Sequence, residues 1–205
     1  MILKTEENNA LKKYIDNSFN EIKKFIDKID FNTLNEAKKI ILNSEKNNGR
    51  VHVTGIGKPG HVSSYIASLL SSTGTPAYVL DATEAIHGSS GQVKPGDVVI
   101  AISNSGETDE LKATVETLKD NGAKIISVTG NRSSWLAQKG DVVLYAGVDQ
   151  EGDILNKPPR SSILVEIIIL QCLSVLLQYE YGLSLQQYLK WHPGGAIGKS
   201  IVKSR

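Results

Sequence analysis

Ser103-Asn104-Ser105-Gly106-Glu107-Thr108 sets three hydroxyls and an amide around one glycine, between an apolar run and a helical one. Hydroxyl donors, free backbone N–H groups and a helix dipole together hold an anion without any net positive charge. Phosphate is the natural occupant. Helix capping alone asks for a single Ser or Thr, not three around a glycine. A second run, Gly55-Ile56-Gly57-Lys58-Pro59-Gly60-His61, also joins a strand-like segment to a helical one. Its glycines, Gly57 among them, let a ligand approach the backbone, Pro59 suits the first turn of a helix, and Lys58 adds a mobile cation. The spacing is neither a Walker loop nor GxGxxG, because position 62 is Val. Taken alone, this run equally fits a tight strand-to-helix turn.

Composition narrows the setting. The chain has 205 residues and a formal net charge of +1, with Lys and Arg spread along it, so it lacks the footprint of a nucleic-acid binder. Its one cysteine, Cys172, rules out an internal disulfide framework or a cysteine metal cluster and suits a reducing, cytoplasmic compartment. A polar segment follows Met1, so no secretory signal is expected. The run from Ile163 to Leu177 is apolar, but Glu166 and Gln171 interrupt it, and it falls short of the roughly 20 residues of a membrane span. A buried or subunit-interface helix is expected there, with no membrane partner.

These residues need elements to position them. Val51–Ile56, Ala77–Leu80, Val98–Ser103, Lys124–Thr129 and Val142–Ala146 read as strands, nearly continuous in apolar residues, as strands covered on both faces are. Gly60–Ser72, Asp109–Asn121 and Ser133–Gln138 read as helices between them, the longer two ending near Gly74 and Gly122. Such alternation predicts a doubly wound parallel sheet, whose ligands bind beyond the carboxyl ends of the strands. Residues 1–48 form an N-terminal helical segment, and 49–205 form the main domain. In the first, Leu11, Tyr14, Ile15, Ile22, Phe25, Ile26 and Ile29 recur at helical spacing. Thr33 and Glu36 have the spacing of a capping box for a second helix that buries Leu34, Ala37, Ile40 and Ile41 and stops at Asn47-Asn48-Gly49.

The loop Ser103–Thr108 after a strand resembles the phosphate loop of the sugar isomerase (SIS) domain family. Gly57-Lys58-Pro59-Gly60-His61, Ser72-Thr73-Gly74-Thr75-Pro76, Glu84-Ala85-Ile86-His87-Gly88 and His192-Pro193-Gly194-Gly195-Ala196-Ile197-Gly198 are similar, in order, to its arabinose-5-phosphate isomerase branch. The resemblance runs from about Arg50 to Lys199. It implies a flavodoxin-like three-layer α/β/α sandwich with a five-stranded parallel sheet, preceded by two helices. It also implies a catalytic set of Lys58, Glu107, Glu151 and His192, with His87 as a further active-site histidine. Phosphate contacts are implied for Ser103, Ser105 and Thr108, with Ser161 and Ser162 lining the pocket.

Aldose–ketose interconversion needs a base to move a proton between neighbouring carbons, an acid-base partner for the oxygens, and a donor for the enediolate. Glu107 or Glu151 suits the base if a partly dry pocket raises its pKa. His87 or His192 suits the hydroxyl proton and Lys58 the oxyanion; neither metal nor cofactor is required. Each also has a plainer reading: Glu107 as a first-turn acid, Glu151 as a solvated loop acid, His87 as a cation at a helix end, His192 as part of an irregular turn. Two departures bear on the sugar. Glu151-Gly152-Asp153-Ile154 stands where the branch commonly has Glu-Ala-Cys-Pro, and Arg160 intrudes beside Ser161 and Ser162, where it offers an extra phosphate contact or marks another substrate. The tandem CBS pair usual in this branch has no counterpart before Arg205, so regulation through it is not expected of this polypeptide.

The resemblance further implies a homodimer or homotetramer, with a pocket completed by a neighbour's His87 or His192. Two rival readings are a phosphosugar sensor without catalysis and an isomerase of another phosphosugar, such as a hexulose 6-phosphate.

Overall fold

A computed structural model of the chain describes residues 2–194. The strands β1 (Val51–Gly55), β2 (Ala77–Val79), β3 (Val98–Ile102), β4 (Lys124–Thr129) and β5 (Val142–Tyr145) form one parallel sheet in the order β2-β1-β3-β4-β5. Strand order reverses between β1 and β3, which pair from Val51↔Val98 to Gly55↔Ile102. The loops after these two strands therefore leave the sheet side by side, at the switch point where such folds bind ligands.

Helices cover both faces. Strand side chains alternate, so Val98, Ile100 and Ile102 of β3 enter one core while Val99 and Ala101 enter the other. The first core is closed by α1 (Ile2–Ile26), α2 (Phe31–Lys46), α3 (Lys58–Ser72) and α7 (Ser161–Glu180). The second is closed by α4 (Ala82–Ala85), α5 (Asp109–Asp120) and α6 (Trp135–Lys139). A further helix, α8 (Leu185–Trp191), which periodicity did not reveal, is a short one capped by Ser184, whose Oγ accepts from Gln187 N at 3.2 Å. The α/β/α sandwich and its five-stranded parallel sheet are as expected from sequence.

One expectation needs correction and two become more definite. The cap of α2 is Asp30, whose carboxylate accepts from Asn32 N at 2.8 Å, so Thr33 falls inside the first turn and no Thr33–Glu36 box forms. The apolar stripe of α1 is buried only in part within this chain: Phe25 enters the core and Tyr14, Ile22 and Ile29 are half-buried, but Leu11, Ile15 and Ile26 are exposed, as is Phe19 at 69%. Helix α7 is long and apolar enough to cross a membrane by length and composition, yet half of it is buried, packed against α3, α2 and α1. It is first of all a core helix; Leu164, Val175 and Tyr179 are its exposed large apolar side chains. The run from Gly195 onward, part of the His192 motif, lies outside the described residues.

Candidate active site

The hydroxyl-rich loop after β3 is built before any ligand arrives. Ser103 Oγ accepts from Gly106 N at 3.1 Å and lies 3.3 Å from Thr108 Oγ1, while Ser105 Oγ accepts from Glu107 N at 3.2 Å. A hydroxyl that accepts from an N–H keeps its own proton to donate. Ser105 and one member of the Ser103–Thr108 pair are thus free to donate to an anion at the N-terminus of α5. Gly106 has φ +69°, and a Cβ there would overlap Ser134 and come within 2.9 Å of Thr129 Oγ1. Glycine is required on both counts. Gly106 O in turn accepts from Leu136 N at 3.1 Å, and Asn104 O accepts from Gly130 N at 3.0 Å, so the connection after β4 pins the loop from behind.

The loop after β1 lies beside it. Gly57 caps α3 at φ +66°, and a Cβ there would meet nothing within 4 Å, so its backbone is open to a ligand. Lys58 begins α3, with Pro59 next, and its exposed ammonium makes no ion pair among the described residues. A cleft of about 370 Å³ opens here. It is lined by Gly55–Gly57, Gly60, His61, Ser63 and Ser64 on one side and Val79–Asp81 and Thr83 on the other. The loop Ser103–Thr108 does not line it. The cavity sits over β1 and β2, one strand to the side of that hydroxyl-rich loop.

Glu107, the first candidate base, is half-exposed rather than enclosed. Its Oε2 lies 2.9 Å from Lys112 Nζ, and its Oε1 accepts from Trp135 N at 2.8 Å. The Lys112 bond, helped by the Trp135 amide, holds its pKa below the usual carboxylate range, opposite to the rise a dry pocket would give.

Glu151 is buried and seats its carboxylate on the N-terminus of α7. Its Oε2 accepts from Arg160 N at 2.6 Å and Ser162 N at 3.1 Å, where the helix dipole favours an anion. Ser161 and Ser162 are fully buried in this turn. Ser161 Oγ lies 3.2 Å from Glu151 O and 3.4 Å from Ser18 Oγ of α1, and Ser162 Oγ has no hydrogen-bond partner among the described residues. Arg160 is held locally: its Nε donates to Asp153 Oδ2 at 3.0 Å and its guanidinium lies over the Tyr14 ring.

One turn along α7, Glu166 is 0% exposed and neither carboxyl oxygen has a hydrogen-bond partner among the described residues. Desolvation, with a smaller push from Glu151, raises its pKa to about 8, so it is mainly protonated at neutral pH. Its sequence signal was a lone acid inside the apolar run Ile163–Leu177. His61 and Asp81, which face the cleft, were also not singled out; only the pairing of β2 with β1 shows that they share a cavity.

The two candidate histidines do not join Lys58 within one chain in the same way. His87 is exposed just past α4, on the β2 side. His192 ends α8, with Nδ1 2.8 Å from Tyr188 O and its ring stacked on Tyr188 at 4.0 Å. The neighbouring Trp191 ring is what a Cβ at Gly74 would meet, 3.1 Å away, so α8 lies by the C-terminal end of α3. Lys58 stands at the other end of that helix, about 22 Å away at 1.5 Å per residue.

A family model described as the SIS domain matches residues 45–176. Arabinose 5-phosphate isomerase KdsD of Pseudomonas aeruginosa is 42% identical over 154 residues, covering 75% of this chain and 47% of that protein. KdsD of Francisella tularensis is 35% identical over 181 residues, covering 88% of this chain and 55% of that protein. The chain thus spans about half the length of these curated relatives. The solved structure of c3406 from E. coli CFT073 in complex with arabinose 5-phosphate superposes with a TM-score of 0.85 at 31% identity, over 92% of this chain and 98% of that one. With its phosphate-type loop at the switch point of a 2-1-3-4-5 sheet and this match over most of its length, the chain belongs to the SIS domain family.

Proposed function

We propose that this protein interconverts an aldose phosphate and a ketose phosphate through an enediolate, with arabinose 5-phosphate and ribulose 5-phosphate as the first pair to test. The observation that carries the proposal is the preformed hydroxyl loop Ser103–Thr108 beside the unpaired Lys58, at the carboxyl ends of two adjacent strands. The loop grips the phosphate; Lys58 stabilises the oxyanion. A glutamate, Glu107 or Glu151, removes the proton next to the carbonyl, and His87 or His192 serves the hydroxyls. Arg160, tied to Asp153, reaches the phosphate only by leaving that partner. Similarity to proteins named arabinose 5-phosphate isomerase supports the choice of sugar. A cytoplasmic setting, where phosphosugars are held, suits this reading.

A homodimer or homotetramer belongs to the same proposal. The exposed stripe of α1 and the exposed apolar side chains of α7 supply apolar surface for it. The separation of His192 from Lys58 by the length of α3 supports a pocket completed by a second copy.

One observation favours a second reading, phosphosugar binding without turnover: Glu107 is held by Lys112 and Trp135 N in the manner of a structural acid. Incubation with arabinose 5-phosphate in heavy water decides between them. Deuterium appearing at C2 is the expected result. Binding of sugar phosphates without exchange on any pentose or hexose phosphate would leave the sensor reading.

A further inference from the structure

We infer that the cleft over β1 and β2 seats the unphosphorylated, hydroxyl-bearing end of the substrate, with Asp81 and His61 as its specificity-determining residues. This rests on the sugar-phosphate reading of the Ser103–Thr108 loop and adds to it a direction in which the substrate lies.

Charge sets the direction. Among the described residues lining the cleft there is no Lys or Arg, and Asp81 is the one carboxylate. Beside that carboxylate a phosphate dianion is held less well than at the hydroxyl loop one strand away. Asp81 is also poised to accept. Its Oδ1 takes Thr83 N at 2.9 Å, Thr83 Oγ1 at 2.6 Å and Glu84 N at 3.1 Å, which leaves Oδ2 without a protein partner among the described residues. The bonds to Thr83 and Glu84 N hold its pKa below the usual carboxylate range, so it is ionised throughout the neutral range. An ionised carboxylate bonds to hydroxyl hydrogens well above the strength of a neutral pair.

His61, on the opposite wall, makes no hydrogen bond or ion pair with the rest of the described chain. A neutral imidazole offers one donor and one acceptor, which matches the two-way chemistry of a sugar hydroxyl. Ser63 and Ser64 already donate to Gly60 O, at 2.6 and 3.2 Å, and present acceptors only.

The spacing agrees. Two strand intervals, roughly 10 Å at 4.8 Å each, separate the loop after β3 from Asp81 after β2. That is the scale of a short phosphorylated carbon chain laid across β1. A pentose 5-phosphate in this direction brings its carbonyl end towards Lys58 and His61 at the head of α3.

Calorimetry on the full chain tests this with two probes, the unreactive arabinitol 5-phosphate and inorganic phosphate. Asp81→Asn keeps the cap of α4, since Asn also caps helices well. It is expected to weaken arabinitol 5-phosphate about tenfold, the loss of one charge-assisted hydrogen bond, and to leave inorganic phosphate unchanged. His61→Ala is expected to act in the same selective way. Equal weakening of both probes, or affinities for the alditol phosphate within about twofold of the parent in both variants, overturns the inference. Parent protein that binds neither probe overturns it together with the sugar-phosphate reading. Binding of arabinitol 5-phosphate with the expected selectivity, but no proton exchange on the sugars, upholds the inference and sinks only the isomerase.

Discussion

Among the described residues, neither the buried carboxyl oxygens of Glu166 nor the buried hydroxyl of Ser162, one turn earlier on the same helix face, finds a hydrogen-bond partner. The pKa of Glu166 is raised from the ordinary carboxylate range to about 8, so between those values the folded state holds a proton that the unfolded chain has lost. Stability is therefore fully present at acid pH and declines as pH rises towards 8. Glu166→Gln, neutral at every pH, is expected to remove that decline in denaturant titrations between pH 5 and about 9. An unchanged slope would show that Glu166 is ionised in the native protein.

Glu107 shows the opposite sign. Lys112→Ala takes away the largest cause of its lowered pKa. If Glu107 is the base, the acid limb of the turnover profile moves to higher pH in this variant. A stationary limb points to Glu151 instead. Gly106→Ala meets both a left-handed φ and the Ser134 side chain. It is expected to cost about 1–3 kcal/mol in stability and to abolish measurable phosphate binding.

At the scale of elements, α1 and α7 stand out. The buried side of α1 is unusually polar: Glu21 Oε2 accepts from Asp149 N at 2.6 Å and Asn17 Nδ2 donates to Gly152 O at 3.1 Å. This side clasps the loop that carries Glu151 and starts α7, while Leu11, Ile15 and Phe19 face outward. Apolar residues at that helical spacing on an exposed face mark an interaction surface. Phe19→Asp is thus expected to shift the protein from dimer or tetramer to monomer in sedimentation at micromolar concentration. A parent protein that already sediments as a monomer removes the stripe from consideration as a subunit contact.

Across the whole molecule, α3 keeps Lys58 and His192 apart, which makes subunit complementation the informative test. Lys58→Ala and His192→Ala should each be inactive alone. Mixed under conditions of subunit exchange, they should regain a measurable fraction of activity, because one shared site in each hybrid keeps both residues. No recovery, with hybrids verified by mass spectrometry, would place His192 outside the site.

The sheet and its longer flanking helices were legible in the sequence because unbroken apolar runs and apolar positions at a 3.6-residue period are local patterns, carried within each element. The strand run Val98–Ser103 and the helix run Asp109–Asn121 show this within a single stretch of chain. The hydroxyl-rich turn Ser103–Thr108 was legible for the same reason, since its hydroxyls, glycine and helix start are contiguous. Burial of the α1 stripe could not be judged locally, because periodicity says which side chains share a face and not what covers that face. Nor could the environment of Glu107, whose partner Trp135 is 28 positions away. The seating of Glu151 on α7, the isolation of Glu166, the cleft shared by His61 and Asp81, and the distance from Lys58 to His192 were decided by tertiary structure alone. Each depends on which elements the strand order brings together, and charge, solvation and reach act through space rather than along the chain.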